Sequence, residues 1–223
     1  MKDEYAEPRQ LMVAEIAAET IFSSGETGKA ALDPGVLDAL GRVPRHEFVP
    51  VELRPYAYVN SPLPIGCDKT ISQPFICALM TDLLQPQPAD RVLEIGTGLG
   101  YQAAILAGLV HKVYSVEIIE VLAAQAKRRL APYGNVVLRT GNGYYGWPEH
   151  APFDKIIVTA APDLIPPMLI QQLKPGGRMA IPAGLPATQK LLLLEKDAAG
   201  RAKTREILRV RFSLLEGAAD PGA

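Results

Sequence analysis

Short apolar runs recur along the second half of the chain at 91–95, 112–116, 136–139, 155–159 and 178–181, and longer helical patterns at 101–110, 118–130 and 165–173 separate them. A strand followed by a helix of that length and then another strand needs a crossover connection. The pattern therefore predicts an α/β fold, a doubly wound, Rossmann-like parallel sheet covered on both faces. Two further runs at 190–195 and 205–215 flank the turn Asp197-Ala-Ala-Gly200 and predict an antiparallel strand pair at one edge of the sheet.

The first 74 residues read differently. Apolar positions Leu11, Val13, Ile16, Ala17 and Ile21 have near-helical spacing and stop at Ser23-Ser24-Gly25. Asp33-Pro34 offers a cap and a first-turn proline for a second helix burying Val36, Leu37 and Leu40. Prolines at 44, 50, 55, 62 and 64 then predict extended chain and short turns, held by packing of Phe48, Tyr56 and Tyr58. A helix follows over 75–84 with Phe75, Leu79, Met80 and Leu83 inward, ended by Pro86 and Pro88. The whole chain, 1–223, reads as one domain: a helical N-terminal cap and substrate loop (1–74), a cofactor-binding α/β core (75–189) and C-terminal strands and tail (190–223).

Composition narrows the class. At 223 residues and 48% hydrophobic content the chain can bury one sizeable core, and a net charge of −1 gives no electrostatic case for a nucleic-acid partner. Two cysteines, Cys67 and Cys77, are too few for a disulfide framework, and the three histidines are scattered without ligand spacing, so no metal site is expected. The acidic N-terminus does not resemble a secretion signal, and no apolar stretch reaches the roughly 18 residues of a membrane span. These features predict a cytoplasmic protein with no membrane association, monomeric by default.

Candidate chemistry gathers at strand ends. The run Arg91-Val-Leu-Glu-Ile95 leads directly into Gly96-Thr97-Gly98-Leu-Gly100, where glycines let the backbone turn sharply and approach a ligand at the carboxyl end of the first core strand. Its Gly-x-Gly-x-Gly spacing, with Glu94 two residues ahead, resembles the first motif of the S-adenosylmethionine methyltransferases more than a dinucleotide fingerprint. Glu117 ends the second core strand, where a carboxylate can accept both hydroxyls of a ribose. Asn142, between Gly141 and Gly143, ends the third, where an amide can pair with an adenine edge.

Upstream lies Pro62-Leu-Pro-Ile-Gly66-Cys-Asp-Lys-Thr70-Ile71-Ser72-Gln73-Pro74, whose hydroxyls and helix-start donors suit an anionic group. Together with Val43-Pro-Arg-His-Glu-Phe-Val-Pro50, Gly100-Tyr-Gln-Ala-Ala104, 151–162 and Leu173-Lys-Pro-Gly-Gly177, these segments closely resemble the protein-L-isoaspartate (D-aspartate) O-methyltransferase family. The resemblance covers 37–215, and Thr-Ile-Ser-Gln-Pro is its specific part. It implies S-adenosyl-L-methionine as cofactor, with S-adenosyl-L-homocysteine as product, and peptide or protein substrates bearing isoaspartyl residues. It also implies Ser72 as the catalytic hydroxyl beside the accepting carboxylate. Thr70, Ile71, Ser72, Gln73, Glu94, Gly96, Thr97, Gly98, Gly100, Glu117, Asn142 and Gly143 are implied as the cofactor site. The chain departs from the family's pattern at Asn142, where Asp is usual, and at Cys67-Asp68-Lys69, which places two charges at the expected substrate entrance. That second departure keeps open a carboxyl methyltransferase acting on a small acid, or on normal Asp of a dedicated partner.

Overall fold

A computed structural model describes residues 3–217 of the chain. α1 (Ala6–Phe22), the single turn α2 (Ser24–Thr27) and α3 (Pro34–Arg42) form the N-terminal cap. Asp33 caps α3 as its sequence predicts, its side chain accepting from the Gly35 N–H at 2.7 Å. α1 begins five residues earlier than the apolar pattern suggests and buries a different stripe, Arg9, Met12, Ile16 and Thr20, while Leu11 and Ile21 face solvent. Polar residues disguise that stripe. The Thr20 hydroxyl folds back onto the Ile16 carbonyl at 2.8 Å, and Arg9 lays its guanidinium over the Tyr58 ring.

The proline-rich segment is less extended than its composition suggests. Two 3-10 turns, Arg45–Phe48 and Val51–Tyr56, use the prolines as punctuation, with Phe48 and Tyr58 buried and Tyr56 exposed. The expected substrate loop is a hairpin: β1 (Leu63–Gly66) pairs antiparallel with β2 (Lys69–Ile71). Cys67 and Asp68 carry φ of +54° and +55° at its tip, the left-handed pair of a two-residue hairpin turn. Pro74 then occupies the first turn of α4 (Pro74–Leu84), all eleven residues of which are buried.

The core elements follow the predicted alternation: β3 (Arg91–Ile95), α5 (Tyr101–Ala107), β4 (Lys112–Glu117), α6 (Glu120–Arg129), β5 (Val136–Thr140), β6 (Phe153–Val158), α7 (Pro167–Gln172) and β7 (Leu173–Ala183). β8 (Lys190–Lys196) and β9 (Ala202–Arg209) complete a seven-stranded sheet of order β5-β4-β3-β6-β7-β8-β9. β3 to β7 run parallel and the last two strands antiparallel. Strand order reverses beside β3, which opens a crevice at its carboxyl end between β4 and β6.

β9 stops at Arg209, six residues short of the predicted strand. The buried Gln189 side chain intercepts the chain there, accepting from the Phe212 N–H at 2.6 Å and donating to its carbonyl at 3.1 Å. Residues 210–216 leave the sheet edge as a strap. It runs back along Ala161, whose N–H donates to the Ser213 carbonyl at 2.8 Å and whose carbonyl accepts from Leu215 at 2.9 Å.

Candidate active site

β3 delivers the chain into the crevice, and the glycine turn reverses it within five residues. Gly96 has φ +93°, its N–H donates to the Val116 carbonyl of β4 at 2.9 Å, and a Cβ there would stand 2.6 Å from Thr159 Oγ1. That position therefore needs glycine both for conformation and for space. Gly98, at φ +57°, donates its N–H to Glu117 Oε2 at 2.7 Å, so the turn and the end of β4 are tied by a charge-assisted bond. Glu117 Oε1 accepts from the Ile119 N–H at 2.9 Å. These bonds leave acceptor capacity on the carboxylate, and the residue borders the cleft, so it can accept from a ribose hydroxyl. Burial pushes the Glu117 carboxyl above the ordinary range; the N–H groups of Ile119, Gly98 and Ile118 pull it back down, and the charge of Glu216 raises it.

The cleft encloses about 840 Å³ of empty space, its mouth included. Thr70, Ile71, Ser72, Gly96, Thr97, Gly98, Glu117 and Gly143 all line it. The other four expected residues are elsewhere. Glu94 lies beneath the turn, fully buried, with its carboxylate accepting from Ser115 Oγ; Ser115 in turn meets Thr97 Oγ1 at 2.5 Å. Burial drives the Glu94 carboxyl up to about 8, with the Ser115 bond lowering it and the Glu117 charge raising it. Gly100 packs against Leu130, which a Cβ would meet at 2.7 Å. Gln73 turns toward Glu19, donating to both of its oxygens at 3.3 Å. Asn142 caps the 3-10 turn Gly143–Tyr145, its Oδ1 accepting from the Tyr144 N–H at 3.0 Å. Trp147 packs edge-on against Tyr114 in the core, away from the cleft.

Two contributions to the cleft had no local signal. The strap residues Ser213 to Glu216 form one side, and Glu216 reaches Lys69 of the β1–β2 hairpin at 2.5 Å. Those partners are 147 residues apart in the chain. The second is Arg45, wholly buried behind the wall, whose Nη2 donates to the Ser72 carbonyl at 2.8 Å and whose Nε donates to the Ala57 carbonyl at 2.8 Å. Arg45 thus fixes the backbone of Ser72, while Ser72 Oγ bonds to no described residue. Beside the cleft runs a second groove. Ser72, Thr70, Thr159 and Ser213 belong to the walls of both. No group of His, Cys, Asp and Glu able to hold a metal occurs among the described residues, and no helix among them is long and apolar enough to cross a membrane.

A backbone cradle that a Cβ would fill, a strand-end carboxylate with free lone pairs and a parallel sheet reversing beside them fit a nucleoside cofactor. With the Gly-x-Gly-x-Gly turn, this fold and site define an S-adenosylmethionine-dependent methyltransferase. Comparison with known proteins makes the assignment more specific. The model of the protein-L-isoaspartate(D-aspartate) O-methyltransferase family matches residues 18–219. The chain belongs to that family. It is 67% identical over 216 residues to protein-L-isoaspartate O-methyltransferase 1 of Polaromonas sp., covering 96% of this chain and 91% of that one. It is 58% identical over 218 residues to protein-L-isoaspartate O-methyltransferase 2 of Syntrophobacter fumaroxidans, covering 96% and 88%. A solved protein-L-isoaspartate O-methyltransferase superposes with a TM-score of 0.79 at 30% identity, over 94% of this chain and 66% of that longer one. A Plasmodium falciparum structure described as a complex with S-adenosyl-L-homocysteine has the same fold, with a TM-score of 0.77 at 20% identity over 93% and 98%.

Proposed function

We propose that this chain transfers the methyl group of S-adenosylmethionine to the free carboxylate of L-isoaspartyl and D-aspartyl residues in damaged proteins, initiating repair through a succinimide. The observation that carries this reading is the shared wall. Ser72 stands in the wall that the cleft and the groove share, so a side chain entering from the groove is brought up to the cleft beside its hydroxyl.

When bound, S-adenosylmethionine supplies an electrophilic methyl group; everything else required is positioning. A carboxylate is ionised at neutral pH and needs no general base. Ser72 Oγ, free of other bonds, donates to one carboxylate oxygen and leaves the second to face the cleft. Arg45 holds the Ser72 backbone in place from behind. Ile65 and Ile71, buried, and the strap residues Leu214 and Leu215 supply apolar walls that keep water from the anion. Glu117 would accept the ribose hydroxyls, the Gly96–Gly98 backbone would cradle the amino-acid end and Gly143 would border the adenine.

The groove favours a polypeptide over a small acid. It continues along Leu208 to Ser213, the end of β9 and the start of the strap, and so offers a wall long enough for several residues of an extended chain. Methylation of an isoaspartyl peptide against its normal Asp twin tests the assignment. The expected result is transfer to the isoaspartyl form alone; equal transfer to both would return the function to a general carboxyl methyltransferase.

A further inference from the structure

Behind Ser72 the interior holds a cation with no anion beside it. Arg45 is wholly buried, and an arginine keeps its charge inside proteins. Its fork is met by carbonyls: Nε donates to Ala57 at 2.8 Å, and Nη2 donates to Ser72 at 2.8 Å and to Ser61 at 3.5 Å. Nη1 is buried without a hydrogen-bond partner among the described residues, and the guanidinium carbon lies 4.7 Å from the centre of the Tyr101 ring. No Asp or Glu among the described residues forms an ion pair with Arg45. Glu47, two residues on, is taken up by His46 and Arg54 instead.

The titratable groups next to this charge are neutral. Tyr101 and Cys77 line the cleft; burial holds the Tyr101 phenol above its ordinary range and pushes the Cys77 thiol up to about 11, each against the pull of Arg45. Glu94, which also acts on Cys77, is itself held up to about 8 and so carries a proton at neutral pH. The other charges at the site are engaged or exposed. Lys69 pairs with Glu216, Glu117 accepts from Gly98 and Ile119, and Glu19 accepts from Asn60 and Gln73, while Arg209 and Arg211 stand exposed along the groove. They form a background of mixed sign. Arg45 alone among these charged side chains is both wholly buried and bonded to Ser72. A buried charge without a partner is costly, and an anion brought up beside it relieves that cost.

We propose that Arg45 is a specificity-determining residue that acts through Ser72, its buried charge selecting the ionised carboxylate of the incoming residue over a neutral group of the same shape. This rests on the peptide-methylation reading above and adds to it how the acceptor is recognised. Two hydrogen bonds and one serine side chain separate the guanidinium from that carboxylate, a distance of roughly 8 Å. At an effective dielectric constant of about 20 to 40, the attraction is worth roughly a five- to thirtyfold preference. Salt should leave it in place because the charge is out of water, whereas the pull of the exposed Arg209 and Arg211 fades as the screening length shortens. The same field lets the product go. As the carboxylate oxygen bonds to the methyl carbon, the carbon–sulfur bond breaks with its electron pair left on sulfur. The acceptor is then a neutral ester that Arg45 no longer attracts.

The test measures binding of two peptides to the protein saturated with S-adenosylhomocysteine, so that nothing turns over. One is an isoaspartyl peptide, the other the same peptide with its free carboxylate replaced by a carboxamide. The quantity read is the ratio of their dissociation constants, from which any general loosening of the site cancels. The wild type should prefer the carboxylate roughly five- to thirtyfold, and the preference should persist at about 0.5 M salt. Arg45→Lys keeps the charge and loses the fork, so it should weaken both peptides and retain most of the ratio. Arg45→Gln should reduce the ratio about fivefold or more. The double variant Arg209→Gln, Arg211→Gln changes only exposed positions and should keep the high-salt ratio, a check that stands even if Arg45→Gln does not fold. A wild-type ratio of one, a ratio unchanged in folded Arg45→Gln, equal loss in Arg45→Lys and Arg45→Gln, or a high-salt ratio lost in the double variant overturns the role of Arg45 and leaves methyl transfer intact. A protein that binds S-adenosylhomocysteine but neither binds nor methylates the isoaspartyl peptide overturns the substrate assignment itself.

Discussion

Glu94 offers the sharpest physical test because its chemistry is confined to the interior. The folded chain holds this carboxyl up to about 8, against 4.5 for the free side chain, chiefly because burial penalises the charge. The sign follows directly. Between those values the folded chain keeps a proton that the unfolded chain has already released, so stability is fully present below 4.5 and is lost as pH rises through about 8. Each pH unit in that window costs about 1.4 kcal/mol, so the interval from pH 5.5 to 8 costs on the order of 3 kcal/mol. For a chain of this size that is roughly 10 °C of melting temperature. Glu94→Gln has nearly the same shape, keeps an acceptor for Ser115 and does not titrate. Melting curves of both proteins across that window, in matched ionic strength, should show the wild type losing about that much more than the variant. A difference between the two that is independent of pH would refute the protonated, buried assignment.

Three other outcomes follow from the site. Ser72→Ala should lower kcat/KM roughly tenfold or more, the value of one hydrogen bond to a charged group, while S-adenosylhomocysteine titrated by calorimetry binds as before. Unchanged turnover would remove Ser72 from the mechanism. Gly96→Ala forces a Cβ to 2.6 Å from Thr159 Oγ1 at φ +93°, and should cost roughly 2–4 kcal/mol in chemical denaturation and weaken S-adenosylhomocysteine. Glu117→Gln weakens acceptance from the Gly98 and Ile119 N–H groups as well as from a ribose, so calorimetry should show affinity reduced about tenfold or more, with little change in the KM for peptide.

What the sequence revealed of this fold was what local periodicity encodes. β3 occupies the span its apolar run marks and β4 differs by one residue, because a strand buried on both faces is a continuous apolar run bounded by turn residues; β5, an edge strand that is only partly buried, also differs by one. β7 was harder. Only 178–181 is apolar enough to notice, yet pairing with β6 and β8 extends it from Leu173 to Ala183 through Lys174-Pro-Gly-Gly177. α1 was found but its buried face only in part: Ile16 and Val13 were marked, whereas Arg9 and Thr20 were not, because they satisfy their polar ends locally and bury the rest. The hairpin at 63–71 escaped notice because its turn is Cys67-Asp68, without the glycine or asparagine that usually marks two positive φ angles in succession.

The site divides along the same line, and Glu94 shows why. Its place two residues before the first glycine made it look like a cofactor ligand, which is an inference along one strand. The side chain's destination is set across strands: Glu94 is in register with Ser115 of β4 and Ile157 of β6, and cross-strand partners share a face. That face leads to the Ser115 hydroxyl and, through it, to Thr97, so the carboxyl supports the turn from below instead of lining the cleft. The same holds for the strap, since nothing in 210–216 announces that Gln189 will turn the chain and Lys69 will meet its end. Motifs therefore identified which residues gather at the carboxyl edge of β3, while pairing and closure decided which of them touch the cleft. Supporting residues such as Glu94 and Arg45 carry no less of the geometry for being out of contact, because the turn and Ser72 hold their positions only while those buried groups keep their partners.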